Sequence, residues 1–472
     1  MNRKEALKSL GLIAGGTMVG KSFLSGCTQR NRIEHYPVIE SLIESDLYNV
    51  TVNNQKIWIE KYRTNMNLDE LPDWFTSRPY TRVQQEIHIA AFSGEDELEV
   101  SIEVPENIQR AFIRPLSRGI NTRINGNTIS FKVSGPDRLY IEINDLPELC
   151  LFADPFESDV PSSEDTDVRY FGPGVHRPGF ITLEENETLY IAAGAIVYGG
   201  IRADGVKNIR VMGRGILDGE YEYERMVRID NSSKIYFEGI TIRNGKNWIN
   251  TLTNCQEVTY RDIKVLSFGN SGDGINPLGC RDFVIRNCFL RCTDDCIAVK
   301  TPRAYLNAEN IQVYDNTMVG YAFSDGFTIG FETRGSYIKN ITVKNCDILQ
   351  SRGGSRVDGH SAFSIVCDGP AEISNIRFED IRVERAEEKL FELIITDGKK
   401  YGNDPPGHIR EIIVRNVIWH HKGEISLRGF NEDHKVQQLT FENCLVDDLP
   451  LHEISGQILN IGPFVENIEF LT

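Results

Sequence analysis

Asp273, Asp294, Asp295 and Asp325 are the residues of this 472-residue chain whose types and spacing point most directly to chemistry. From Cys292 to Lys300 the sequence reads CTDDCIAVK, two adjacent carboxylates followed at once by the apolar, strand-like run Cys296-Ile297-Ala298-Val299. Adjacent carboxylates repel each other and resist desolvation beside a buried segment, so a purely structural role gives little reason to keep them. Asp273-Gly274-Ile275-Asn276 and Asp325-Gly326-Phe327-Thr328 have the same form as Asp295-Cys296-Ile297-Ala298. If these are equivalent strands on consecutive coils, Asp273, Asp295 and Asp325 form a column with Asp294 beside it, all within about two coil steps, or ~10 Å. Like charges that close cannot all ionise easily, so at least one pKa rises while others stay low, and such a split supplies an acid and a base in one site. Inverting glycoside hydrolysis uses carboxyl groups roughly 6.5–9.5 Å apart with a water between, and the retaining reaction roughly 5 Å. Spacing along the chain leaves both open. Calcium binding and an inert acidic face are the other uses of such a cluster.

The bulk properties narrow the setting. A formal charge of −17, with 25% charged and 40% hydrophobic residues, describes a folded, soluble, acidic protein. That balance argues against nucleic acid and anionic membrane as partners and weakens the case for a polyanionic substrate. The length suggests two or three domains. Residues 1–27 read as an export signal: Arg3, Lys4 and Lys8 precede an uncharged run from Ser9 to Gly20, and Leu24-Ser25-Gly26-Cys27 resembles a bacterial lipobox. The expectation is an exported protein of the cell envelope, tethered by a lipid on Cys27. Of the ten cysteines, Cys255, Cys288, Cys346 and Cys444 each follow an asparagine and are expected to point inward as small hydrophobes. Cys288, Cys292 and Cys296 lie in strand-like sequence with no histidine nearby, which speaks against zinc. No metal or organic cofactor is expected.

The elements that must position the aspartates are strands throughout. Within residues 36–153, Leu98-Val100-Ile102-Val104, Ile129-Phe131-Val133 and Leu139-Ile141-Ile143 follow the period of two of half-buried strands. Asn125-Gly126 is a hairpin signal, and the whole predicts a small β-sandwich. Residues 154–169 are acidic and rich in Ser and Pro, a linker. From 170 to 472 one pattern recurs: VTYRDIKVL, FVIRNCFL, IQVYDNTMV, ITVKNCDIL, IRFEDIRV, IIVRNVIW, LTFENCLV. Asp262, Asn287, Asn316, Asn345, Asp380, Asn416 and Asn443 are the expected corners, because Asn and Asp tolerate left-handed backbone. Repeats about 23 to 36 residues apart without a helical period predict an all-β fold, a parallel β-helix preceded by the sandwich.

The paired segments SGDGINP and TDDCIAVK resemble the polygalacturonase family, glycoside hydrolase family 28, and the related dextranases and isopullulanases of family 49. FGPGVHRPGFITLEENETLYIAAGAIVYGGI, residues 171–201, is similar to the entry into the helix in that pectin-lyase-like clan. The resemblance implies a right-handed helix and an inverting glycoside hydrolase acting on an α-linked poly- or oligosaccharide. It assigns Asp294 as the acid that protonates the leaving oxygen and Asp273 and Asp295 as the carboxylates that activate water. Three departures bear on the substrate: Ser271-Gly272 stands for Asn-Thr, Ser324-Asp325-Gly326 for Gly-His-Gly, and no Arg-Ile-Lys occurs near Ala362-Phe363-Ser364-Ile365. Arg352, Arg356 and His360 on the preceding loop are candidate replacements, with Asp325, Lys300 and Trp248 as further substrate contacts. Glu332 and Arg334 are read as a cleft wall or a surface ion pair. The absence of the basic reader shifts the expected sugar toward a neutral or differently substituted glycan. A polysaccharide lyase on the same fold and a non-catalytic glycan-binding protein are the rival readings.

Overall fold

The computed structural model describes residues 32–67, 85–322, 324–351, 360–386 and 389–472. The N-terminal part is two facing sheets. One is five-stranded, built on Asp96–Glu103 paired with Asn49–Val52 and Thr128–Gly135. The other is six-stranded, with Glu86–Gly94, Leu149–Asp154 and Asp137–Ile143 at its centre. The alternating runs do what their period requires: Leu98, Val100, Ile102, Ile129, Phe131 and Val133 meet Leu139, Ile141, Leu149 and Leu151 in a closed apolar core. The expected hairpin is present, with Asn125 paired to Thr128 across Gly126 and Asn127.

From Val168 onward the chain coils. A 12-stranded sheet from Val168–Phe171 to Val465–Leu471 pairs in parallel throughout, and a 21-stranded sheet lines the rest of the coil. Inward residues stack on like residues, as in Phe237–Tyr260–Phe283 with ring centroids 4.4 and 5.9 Å apart. All nine described cysteines are free and buried, and Cys255, Cys288, Cys346 and Cys444 point inward as expected. Asp262, Asn287, Asn345, Asp380, Asn416 and Asn443 all adopt positive φ at the corners, and their neighbours form side-chain ladders such as Asn443 Nδ2 to Asn416 Oδ1 at 2.8 Å. One corner is displaced by a residue. Asp315 (φ 59°) makes the turn, and Asn316 is buried in the place that cysteine takes on neighbouring coils, accepting from Cys288 N at 2.8 Å.

The sandwich is pressed onto the flank of the coil. Tyr62, Ile87, Tyr140, Cys150 and Phe152 pack on Leu266, Phe268, Phe289, Val319 and Tyr321. This explains why Leu149–Asp154 is buried at every position: one face meets the sandwich core and the other meets the helix. Buried ion pairs cross the same interface: Arg243 with Glu60 (2.8 Å), Lys264 with Asp154 (2.8 Å), Arg138 with Asp262 (2.7 Å) and Arg114 with Glu384. Residues 154–169 are a strap rather than a free tether, since Pro155 O accepts from Arg214 Nη2 at 3.0 Å and Glu157 accepts from the Tyr190 hydroxyl at 3.0 Å. Burial pulls the Lys264 ammonium down to about 8 although Asp154 opposes the shift. Asp154→Asn leaves Lys264 and Arg138 in the interface without their shared carboxylate, and a loss of about 3 kcal/mol in denaturant unfolding is expected; an unchanged midpoint would show the interface to be dispensable.

Candidate active site

The register of the coils assembles the carboxylates. Ile275 pairs with Ile297 and Ile297 with Phe327, so the three Asp-led segments stack as expected. Gly274 N donates to Asp295 O at 2.8 Å and Cys296 N to Asp325 O at 2.9 Å, which puts Asp273, Asp295 and Asp325 in one column. The glycines around Asp273 are sterically required. A Cβ on Gly272 would lie 2.4 Å from Thr293 Oγ1, and one on Gly274 2.5 Å from Cys296 O. The Ser-Gly departure thus has a local cause: Thr293, just before Asp294, fills the space a side chain at 272 would take. Ser267 ties the two loops together, donating to Gly272 O at 2.6 Å and accepting from Thr293 N at 3.0 Å.

Each carboxylate has its own setting. Asp294 is the half-buried member, with Oδ1 accepting from Asp295 N at 3.0 Å. Asp295 is 9% exposed and its Oδ1 accepts from Asp325 N at 3.1 Å. Asp273 is buried, and its Oδ2 has no hydrogen-bond partner among the described residues. Asp325 is fully buried, accepting from Ser361 N at 2.7 Å and from the Ser364 hydroxyl. It was read as a substrate contact; in the structure both of its oxygens are engaged within the column. Desolvation, then the Asp294 charge, pushes Asp295 up to about 7, and the same causes hold Asp273 well above the usual carboxylate range. Asp294 is raised by desolvation, with Lys300 opposing.

Lys300 and Trp248, read as substrate contacts, lie beside this cluster. The Lys300 ammonium lies 3.8 Å from Asp273 Oδ2, 3.5 Å from Glu332 Oε2 and 4.8 Å from the Trp248 ring centroid, over which Arg225 also lies at 4.8 Å. Glu332 therefore lines the site, while Arg334 turns away to Asp404 at 2.7 Å. His360 is buried beside Ser361, near Asp325. Arg352, Arg356 and Cys27 lie outside the described residues.

The sequence reading missed the loop after Lys389–Ile395. Tyr401, 51% exposed, meets Phe331 edge-on at 5.2 Å, and the Lys400 ammonium lies 4.0 Å from the Phe331 ring centroid. The Lys400 charge opposes the rise of both Asp294 and Asp295, so the loop lies near the carboxylates. Its Gly-, Asp- and Pro-rich sequence breaks the repeat, which is the one signal it offered. Asn276 was also passed over: its amide oxygen and nitrogen are buried without partners among the described residues, on the outward side of the strand that carries Asp273. Polar atoms left unpaired around one cleft are what a polyhydroxylated ligand satisfies.

A carboxyl held above its unfolded pKa binds a proton that the unfolded chain has released, so stability falls as pH rises from the ordinary aspartate range through about 7, where Asp295 titrates. Asp295→Asn is therefore expected to gain on the order of 2 kcal/mol at pH 8 and little at pH 4 in thermal unfolding. A gain independent of pH would contradict the raised Asp295 pKa.

Residues 192–417 match the model of the family described as "Glycosyl hydrolases family 28". Among curated proteins the chain is 24% identical over 184 residues to "Probable exopolygalacturonase B" of Aspergillus flavus, covering 37% of this chain and 41% of that protein. It is 23% identical over 221 residues to "Endo-polygalacturonase" of Pectobacterium carotovorum subsp. carotovorum, covering 46% and 52%. The match thus spans about half or less of each relative. Among solved structures, Dex49A from Penicillium minioluteum superposes with TM-score 0.60 at 15% identity, over 93% of this chain and 96% of that one. A hyperthermoactive exopolygalacturonase from Thermotoga maritima gives TM-score 0.51 at 16% identity, over 64% and 83%. These likenesses establish the fold, a right-handed parallel β-helix. The resemblance read from SGDGINP and TDDCIAVK is borne out to this extent: residues 192–417 match the glycosyl hydrolase family 28 model, and the curated proteins similar to the chain are named as polygalacturonases.

Proposed function

We propose that this chain hydrolyses α-linked glycosidic bonds in a poly- or oligosaccharide by single displacement with inversion. The observation that supports this best is the split among the carboxylates: Asp294 faces the cleft, while Asp273 and Asp295 are held behind it in the column. Three carboxylates share one site with Lys300 as their buried counter-ion, so the group retains a proton near neutral pH and titrates as a unit. Asp294, the member open to the cleft, delivers that proton to the leaving oxygen. Asp273 and Asp295 orient and deprotonate the attacking water, and Asp273 Oδ2, which has no hydrogen bond among the described residues, is the acceptor for it. Trp248, with Lys300 and Arg225 over its ring, and the exposed Tyr401 are the aromatic candidates for sugar contact.

The relatives named as polygalacturonases direct the first test at pectic glycan, with neutral α-glucans second. A lyase reading is weakened by the commitment of Lys300 to Asp273 and Glu332, which leaves it ill placed to act as a base. Export and attachment to the cell envelope through a lipid on Cys27 complete the proposal.

The test is a reducing-end assay over pectic and neutral α-linked glycans, with Asp294→Asn beside the wild type. Release of reducing ends by the wild type, and a fall of about 10²–10⁴-fold in kcat for the variant at unchanged unfolding temperature, is expected. Turnover retained by the variant would reject the assignment of the acid. Unsaturated products would favour the lyase, and glycan binding without cleavage the non-catalytic protein.

A further inference from the structure

The strand Phe327–Thr333 breaks register with Ile297–Thr301: Val299 pairs with Ile329 and Thr301 with Thr333, so the single residue Lys300 stands opposite Gly330, Phe331 and Glu332. Such a bulge bends its strand and re-aims side chains. Here it turns Glu332, at φ 67°, toward the Lys300 ammonium. The bulge is packed in: a Cβ on Gly330 would lie 2.1 Å from Val366 O. Lys300 is 6% exposed, and its ammonium sits between Glu332 Oε2 at 3.5 Å and Asp273 Oδ2 at 3.8 Å. Neither oxygen has a hydrogen-bond partner among the described residues, so this ammonium is the nearest compensation each receives. A buried charge without a partner is strongly disfavoured, and Lys300 is therefore shared between the two carboxylates.

We propose that Lys300 and Glu332 form a tuning pair: Lys300 is a positioning residue that partly offsets the charge of Asp273 and holds it in line, and Glu332 limits how much of the Lys300 charge Asp273 receives. This rests on the hydrolase reading of the same site and adds Glu332 to it. The groups facing the pair are Asp273 from the coil before Lys300, Asp294 and Asp295 on the coil of Lys300 itself, and Asp368 beside Glu332. Lys400 faces Asp294 and Asp295 from the nearby loop, and Tyr401 from the same loop faces Lys300, Glu332 and both of those aspartates. Lys300 lowers the Asp273 pKa and Glu332 raises it. Removal of the two charges must then move the titration in opposite directions.

The experiment compares Lys300→Met, Lys300→Arg and Glu332→Gln. In the pH profile of kcat/KM, the acid limb reports ionisation of the carboxylate base. Lys300→Met is expected to move that limb up by about one pH unit, Glu332→Gln down by a similar amount, and Lys300→Arg to stay near the wild type. Carboxylate bands followed by infrared difference titration of the purified protein, with no glycan present, should shift by the same signs. If the wild type cleaves no glycan but the infrared midpoints move as stated, the hydrolase reading fails and the tuning pair stands. If both variants shift in one direction, or if Lys300→Met raises KM and leaves every midpoint in place, the tuning pair is overturned and Lys300 is a sugar contact. Glu332→Gln changes almost no volume and keeps the comparison valid should Lys300→Met fail to fold.

Discussion

The coils of the helix stack in parallel, with the three Asp-led segments in register, and the site follows from that constraint. A backbone spacing of about 4.8 Å between coils leaves no freedom to separate residues at equivalent positions. Where Ile275, Ile297 and Phe327 stack inward, Asp273, Asp295 and Asp325 must stack as well. A globular site gathers its carboxylates from distant loops and positions each one separately; here the pairing that stabilises the coil also enforces their mutual repulsion. The chain manages that repulsion in ways that differ down the column. Asp325 is satisfied by Ser361 and Ser364, Asp295 by the Asp325 amide, and Asp273 by the shared ammonium of Lys300.

The same logic accounts for what lies around the column. Outward corners need left-handed backbone, and asparagine and aspartate supply it while bonding to one another from coil to coil. Inward positions need side chains that tolerate a like neighbour, and cysteine, isoleucine and phenylalanine do. Burial above all pushes the inward thiols up, Cys288 and Cys346 to about 12, so they behave as apolar filling and not as nucleophiles.

Legibility in the sequence tracked periodicity. The sandwich strands and their hairpin were readable because alternation and turn chemistry are local. The coil was readable because its repeat is long and its corners carry distinctive residues. Even the aspartate column was readable, since the common form of three short segments survives without any knowledge of handedness. The errors lie where one coil departs from the rest. Asn316 was taken for a corner because Asp-Asn offers two candidates and only packing chooses between them. Nothing in the Asp325 segment announces the serines that engage it from the next coil. Glu332 was readable only as a cleft wall or a surface ion pair, since its aim depends on a bulge. Tyr401 and Lys400 were invisible, because they sit on a loop whose fold has no period.

Tyr321 stands at the junction of the two parts of the molecule. Its ring packs in the apolar cluster shared with the sandwich, and its hydroxyl donates to Ser267 O at 3.0 Å. Ser267 in turn holds the loops that present Asp273 and Asp294. The sandwich is thus part of the scaffold behind the carboxylates and not a detachable accessory. Such an arrangement resists modular exchange. A lineage that replaced this N-terminal part would have to rebuild the support under Ser267 at the same time, so sandwich and coil are expected to be inherited and to diverge as one unit.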